Sequence, residues 1–218
     1  MKIAVIVPGQ WRTFSQAIEL FHENVVKHTE ADFEFYYRFK VSSEEHISLG
    51  GRPLNWEMIQ SLTNDCRTKF TAIVPEEPLD HIEGTDRMWG YTHDKIKNHY
   101  WQSIKGQHDI YGVLKMNPNY PFYDMVVMLR TDYWFNEPLR LHTLDTKLLY
   151  IPDGEDHCDG YNDQCYWGNP VWMEKVCMRC TDYLLPDRAR HPETALKEFC
   201  DRFEVPVVRH TINAGIGR

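Results

Sequence analysis

The sequence has no apolar run that approaches the ~20 residues needed to cross a bilayer. Its first residues also lack the basic region, apolar stretch and small-residue cleavage site of a secretory leader. We therefore expect a cytoplasmic protein without a membrane span. A surplus of positive charge is absent too, because 24 Lys and Arg stand against 32 Asp and Glu, a formal net charge of -8. Since binding to a polyanion needs clustered cations, this balance disfavours nonspecific binding to duplex DNA.

Cysteine is sparse, with six residues scattered through the chain, and no paired metal-binding motif occurs. A chain of 218 residues, of which 42% are apolar, needs no disulfide scaffold to fold. Cys177 and Cys180 form one CxxC, but VWMEKVCMRCTDYLL has helical periodicity, which places both on one helix face. Because no second CxxC or CxxH accompanies it, a zinc knuckle is disfavoured and we expect reduced thiols in the core.

Two common glycine-rich phosphate loops, GxxxxGK[ST] and GxGxxG, are also absent from the sequence. Internal repeats, low-complexity tracts and an interdomain linker are absent as well. A domain has roughly 100 to 200 residues, so the length favours a single domain over residues 1–218.

What the sequence does contain is an alternation of strand and helix patterns. The stretch IAVIV consists of five apolar residues, typical of a strand covered on both faces. SQAIELFHENVVKHT then has apolar residues at helical spacing, and ADFEFYYRF alternates as a strand does. This βαβ opening predicts an α/β, Rossmann-like domain with a mainly parallel central sheet flanked by helices.

The rest of the chain continues the alternation. We predict helices in WEMIQSLTNDC, in residues 87–107 and in ETALKEFCDRF, and strands in FTAIVP, FYDMVVMLRTDYWF, LLYIPDG and VPVVRH. Residues 41–54, the acidic stretch PEEPLDHIEGTD and residues 155–168 are predicted loops.

Polar clusters follow three of these strands, where ligands bind in open α/β sheets. They comprise Gly9, Gln10 and Arg12 after the first strand, Arg130 and Asp132 after VVML, and His210 after the last strand. Because side chains alternate along a strand, Arg130 and Asp132 are expected on one face. A guanidinium there suits phosphate oxygens, and a carboxylate suits a divalent cation that bridges them. The alternative is that Arg12 is solvated and that Arg130 and Asp132 merely pair with neighbours.

Three segments carry a resemblance to a known family. IAVIVPGQWRTF, YDMVVMLRTDYWF and GYNDQCYWG, in this order, resemble segments of small viral and bacterial glycosyltransferases of the GT-A fold. In that family a GQxR turn opens the domain, RxD replaces the more usual DxD, and NDQ precedes a glycine and a helix. The resemblance spans essentially the whole chain. It implies a single GT-A-like domain that binds a nucleoside-diphosphate sugar, most simply a UDP-sugar, in the host cytoplasm if the chain is viral.

The resemblance also implies roles for individual residues. Those expected to bind the donor are Gly9, Gln10, Arg12, Arg130, Asp132 and Gln164. Asp132 and His210 are expected to hold Mn²⁺ or Mg²⁺, although Arg130 stands where DxD has its first carboxylate, so one ligand is lost. His210 is otherwise a satisfied histidine at a strand end.

Two acidic residues are candidates for the base that deprotonates the acceptor. The resemblance implies this role for Asp163, whose alternative role is to cap the following helix. Glu193 begins another helix, where its charge favours the helix dipole, and ranks second. Aromatic residues beside these carboxylates suggest a sugar site, with packing in the core as the alternative; they are Tyr133, Trp134, Tyr161, Tyr166 and Trp167.

The leading functional prediction is therefore a glycosyltransferase whose acceptor is a hydroxyl of a glycan, a protein or a modified nucleobase. A base such as Asp163 is required only if the reaction inverts the anomeric centre. One alternative is a nucleotidyltransferase. Such an enzyme normally needs a glycine-rich loop with Lys or Arg after the first strand, and PGQWR is too poor in glycine for that. The other is a non-catalytic module that binds sugars or nucleotides.

Overall fold

The computed structural model describes residues 1–11, 13–41, 53–75, 84–86, 91–93, 98–154, 156–185, 188 and 191–217. For residues 84–86, 91–93 and 98–99 it describes the backbone alone. The predictions for Arg12, for most of the loop at 41–54 and for most of the acidic loop lie outside these residues. No helix in the described ranges has both the length and the apolar character needed to cross a membrane.

The described chain forms eleven strands and six α-helices. The strands are β1 Lys2–Gln10, β2 Asp32–Lys40, β3 Thr68–Val74, β4 Gly84–Asp86, β5 Tyr91–His93, β6 Met125–Leu129, β7 Tyr133–Phe135, β8 Leu149–Pro152, β9 Cys165–Gly168, β10 Val207–His210 and β11 Ala214–Ile216. The helices are α1 Phe14–Asn24, α2 Trp56–Asn64, α3 Asn98–Met116, α4 Pro170–Cys177, α5 Cys180–Tyr183 and α6 Pro192–Arg202.

Seven of these strands form one central sheet in the order β10-β8-β9-β6-β1-β2-β3. Neighbouring strands are parallel except at β9, which runs antiparallel to both β6 and β8. Two small antiparallel pairs, β4 with β5 and β7 with β11, complete the strands. This confirms the predicted α/β domain with a mainly parallel sheet flanked by helices.

The central position of β1 explains its continuous apolar run. Ile3, Val5 and Val7 pack on one face with α1 residues such as Phe14. The opposite face of β1 packs against α3, with which Ile6 shares a buried cluster. Because both faces are covered, alternation with polar residues would bury unpaired polar groups.

Several predicted boundaries are wrong. FYDMVVMLRTDYWF is two strands, β6 and β7, separated by a turn in which Tyr133 N donates to Arg130 O at 3.2 Å. The segment expected to be helical from residue 87 contains β5, and α3 begins at Asn98. The ends of two predicted loops are strands, β4 and β9. These short strands form because their backbones pair with partners distant in sequence, which local patterns do not reveal.

The CxxC does not lie on one helix, because α4 ends at Cys177 and α5 begins at Cys180. The break lets the side chain of Arg179 turn inward and donate from Nη1 to Val176 O at 2.7 Å. Both cysteines are buried free thiols, and burial raises the pKa of each. The prediction of reduced core thiols is confirmed for these two residues.

A candidate active-site cavity at the carboxyl ends of the strands

A cavity of about 310 Å³ lies at the edge of the sheet where the parallel strands end. Gln10 and Lys40 are register partners at the ends of β1 and β2, and both line it. Because β9 is antiparallel to β6, Cys165 at its start is paired with Leu129 at the end of β6. The residues that precede β9 therefore join those that follow β6 at one edge.

The end of β1 approaches the turn after β6 very closely. Gly9 has a φ of +146°, and an added Cβ would lie 2.9 Å from Thr131 Oγ1. Thr131 Oγ1 in turn donates to Gln10 O at 2.5 Å. Glycine is required here both for its backbone conformation and for this approach. Gly9 and Gln10 therefore line the cavity as predicted.

Arg130 and Asp132 form a two-pronged ion pair at the cavity. Arg130 donates from Nε to Asp132 Oδ1 at 2.5 Å and from Nη2 to Oδ2 at 3.1 Å. Among the described residues no hydrogen bond is made by its third nitrogen, Nη1. Burial opposes the charged form of Arg130, but the carboxylates of Asp132, Asp163 and Glu193 raise its pKa, so it stays charged. The guanidinium thus keeps one nitrogen for a ligand.

The predicted metal site does not fit this arrangement. Both oxygens of Asp132 accept from Arg130, so a metal ion bound to this carboxylate would lie beside the positive charge of the guanidinium. His210 is not among the lining residues; its ring packs at 5.9 Å from Tyr150 and 5.6 Å from Trp167, and burial lowers its pKa. Within the described ranges no group of three or more His, Cys, Asp or Glu residues is placed to hold a metal ion.

The two candidate bases lie together, buried in the wall of the cavity. Asp163 precedes β9, and α4 is capped instead by Asn169, which accepts from Val171 N at 3.0 Å, so the capping role for Asp163 is wrong. Glu193 lies in the first turn of α6, as predicted. Burial, followed by the nearby charge of Glu193, raises the pKa of Asp163 to about 6, against the opposing effect of Arg130. Asp163 can therefore exchange a proton near neutral pH.

A close backbone contact brings these two carboxylates together. At Gly160 an added Cβ would lie 2.2 Å from the carbonyl carbon of Glu193. Next to it Tyr161 N donates to Glu193 O at 3.0 Å, and Thr194 Oγ1 donates to Cys158 O at the same distance. The loop before β9 is thus fixed against the first turn of α6.

Several charged residues of the cavity were not predicted from sequence. Arg38 and Lys40 are buried at the end of β2, where Arg38 pairs with Asp109 at 2.8 Å. The strand-end rule that singled out Gln10 would also have found Lys40, since ADFEFYYRF is followed directly by lysine. His191 also lines the cavity, with Nδ1 2.7 Å from Glu193 Oε2.

Arg179 is a further buried cation near Asp163. Its Nη1 donates to Gln107 Oε1 at 2.8 Å and to the Tyr166 hydroxyl at 3.3 Å. Its positive charge lowers the pKa of Asp163, opposing the effects of burial and of Glu193. Helical periodicity concealed this residue, because Arg179 lies at the break between two helices.

The predicted aromatic sugar site is not formed. Among the described residues that line the cavity, none of the five predicted rings occurs. Tyr133, Tyr166 and Trp167 are fully buried in the core. Tyr161 packs under the Arg209 guanidinium at 5.0 Å, and Trp134 packs against Gly217. Among the described lining residues the rings are those of Tyr100, His157 and His191.

The cavity therefore unites most of the predicted site residues, namely Gly9, Gln10, Arg130, Asp132, Asp163, Gln164 and Glu193. Arg12 lies outside the described residues, and His210 lies away from the cavity lining. Comparison with models of known protein families and with curated proteins gives no match for this chain. The chemistry of the cavity itself is thus the basis for assigning a function.

Proposed function

We propose that this chain is a glycosyltransferase that moves a sugar from a nucleoside-diphosphate sugar, with a UDP-sugar as the leading donor, to a hydroxyl group. The observation that carries the proposal is one cavity in which Arg130, held by Asp132, lies beside the carboxyl pair of Asp163 and Glu193. This reaction needs a fixed cation for the diphosphate and, when it inverts, a base for the acceptor.

The diphosphate is assigned to the cationic side chains of the cavity. Nη1 of Arg130 has N–H groups to donate, and the lining also contains Lys40. Hydrogen bonds from a guanidinium to phosphate oxygens are charge-assisted and directional. Because the leaving diphosphate gains negative charge as the glycosidic bond breaks, a cation fixed in advance stabilises the transition state.

The acceptor hydroxyl is assigned to Asp163. A carboxylate whose pKa is raised to about 6 is ionised at neutral pH, yet is basic enough to take a proton in the transition state. Glu193 contributes by raising that pKa and is the second candidate for the base. The acceptor is a hydroxyl of a glycan, a protein or a modified nucleobase.

Calorimetric titration with UDP, GDP, dTDP and CDP and with their sugars tests the proposal, followed by an assay for release of nucleoside diphosphate. We expect one nucleotide to bind, and its sugar to be hydrolysed slowly without acceptor. Preferred binding of nucleoside triphosphates with release of pyrophosphate would instead show a nucleotidyltransferase. Binding without any turnover, with or without candidate acceptors, would show a non-catalytic module.

A further inference from the structure

A buried oxygen atom in the cavity wall lacks a hydrogen-bond donor. Oε1 of Gln164 accepts no hydrogen bond from any residue that the structure describes, whereas Oε2 of Glu193 lies 2.7 Å from His191 Nδ1. Gln164 and Glu193 are 1% and 5% exposed, and both line the cavity. Buried polar atoms in folded proteins are almost always paired, so unpaired ones at a cavity call for a ligand.

The chemistry of these atoms restricts what the ligand can be. A carboxylate oxygen and an amide oxygen are acceptors only, so a ligand at Gln164 Oε1 must bring a hydrogen-bond donor, and the Glu193 carboxylate can accept from a second donor on the same ligand. The adjacent carboxylate of Asp163 adds a third set of acceptor oxygens. A group of neighbouring hydroxyls supplies such donors, whereas a carboxylate or phosphate would bring negative charge beside two acidic residues.

These acceptors lie directly beside the cation assigned to the diphosphate. Arg130 N donates to Gln164 O at 3.0 Å, so the two residues are neighbours across the edge of the sheet. In a nucleoside-diphosphate sugar, the sugar is bonded to the outer phosphate and its hydroxyls extend from there. The rings of Tyr100 and His191, 5.5 Å apart between centroids, also line this cavity and offer apolar surface to a pyranose.

We infer that Gln164 and Glu193 form the sugar subsite of the donor and select a neutral hexose over a hexuronic acid. The inference rests on the proposed function and adds the chemical class of the sugar that is transferred. Gln164 accepts a hydrogen bond from a sugar hydroxyl, and Glu193 both accepts one and repels a carboxylate on the sugar. Both are therefore specificity-determining residues.

The test compares three ligands that share the nucleotide found to bind: the nucleoside diphosphate alone, its neutral hexose and its hexuronate. For the natural chain we expect the neutral hexose to bind at least tenfold more tightly than the hexuronate. Gln164→Met should reduce affinity for the hexose about tenfold and leave that for the diphosphate within twofold. Gln16→Met, on the exposed face of α1, is the matched control and should change neither.

Glu193→Gln keeps the shape of the side chain and removes its charge. It should therefore raise affinity for the hexuronate donor and reduce the ratio of hexose to hexuronate affinity. Equal binding of the hexose and hexuronate donors by the natural chain would overturn this inference but leave the proposed function standing. So would equal losses of hexose and diphosphate binding in a Gln164→Met variant whose melting temperature is unchanged. If no nucleoside diphosphate binds at all, the proposed function fails and this inference fails with it.

Discussion

The guanidinium of Arg130 donates hydrogen bonds to both carboxylate oxygens of Asp132, two residues along the chain, at 2.5 and 3.1 Å. The side chain of Asp132 is only 3% exposed, whereas that of Arg130 is 24% exposed. Asp132 is thus the buried anchor, and Arg130 is the group that a ligand can reach. Asp65 and Arg67, also two residues apart, form a similar two-pronged ion pair just before β3. This second pair does not line the cavity.

The two ion pairs allow a matched comparison of arginine variants. Arg130→Met should weaken binding of the nucleoside diphosphate about 10- to 100-fold, since a charge-assisted hydrogen bond contributes ~1.5–3 kcal/mol. Arg67→Met removes a guanidinium of the same type and should leave the affinity unchanged. Calorimetric titration of both variants, with and without EDTA, is the measurement. Because Asp132 is engaged by Arg130, EDTA should not alter binding; a large effect of EDTA, or equal losses in both variants, would contradict this role for Arg130.

Asp163→Asn should separate donor binding from catalysis. The amide keeps the shape of the side chain but cannot take a proton, so turnover to acceptor should fall by ~10² to 10⁴-fold while donor affinity changes little. Initial rates at saturating donor, combined with titration of the donor, measure both quantities. Glu193→Gln is the companion variant: if it loses more turnover than Asp163→Asn, the base is Glu193 and the present assignment is wrong.

The same substitution should change how stability depends on pH. The pKa of Asp163 is raised to about 6 in the folded chain, so the folded state holds the proton more tightly than the unfolded state does. The stability contributed by protonated Asp163 is therefore complete below the unfolded pKa of ~3.9 and is lost as the pH rises through about 6. Asn cannot lose such a proton. The free energy of unfolding of Asp163→Asn, relative to that of the natural chain, should therefore rise as the pH increases from ~3.9 to about 6. The expected gain is on the order of 2–3 kcal/mol.

Urea unfolding at several pH values from 4 to 8 measures this gain. Gln16→Asn, an exposed position on α1 with no titrating group, is the control and should show a difference that does not change with pH. A constant difference for Asp163→Asn across the whole range would show that the pKa of Asp163 is not raised.

Two glycines should respond in opposite directions to replacement by alanine. Gly9→Ala places a Cβ 2.9 Å from Thr131 Oγ1 at a φ of +146°, which should cost on the order of 1–3 kcal/mol of stability. Gly112→Ala, within α3, places its Cβ where no atom lies within 4 Å and should stabilise the chain by up to ~1 kcal/mol. The melting temperatures of the two variants are the measurement. An unchanged melting temperature for Gly9→Ala would contradict the geometry described at Gly9, and a lowered one for Gly112→Ala would contradict that at Gly112.

Local patterns in the sequence were sufficient to predict the class of the fold and one side of the cavity. The apolar run of β1 and the helical spacing of α1 are local properties, because burial on both faces or on one face imposes its own periodicity. Since parallel strands end at one edge of a sheet, the positions of Gln10 and Arg130 beside the cavity could be predicted from the strands that precede them.

The opposite side of the cavity was decided by tertiary structure alone. Asp163 and Gln164 lie there because β9 runs antiparallel to β6, and strand direction depends on pairing between segments far apart in the chain. Glu193 joins them because the backbone at Gly160 leaves room for the first turn of α6, a contact that no periodicity encodes. His210 also ends a strand, as predicted, yet packs against aromatic rings away from the cavity lining. Sequence determines which residues follow a strand, but only the packing of the whole sheet determines which of those residues meet.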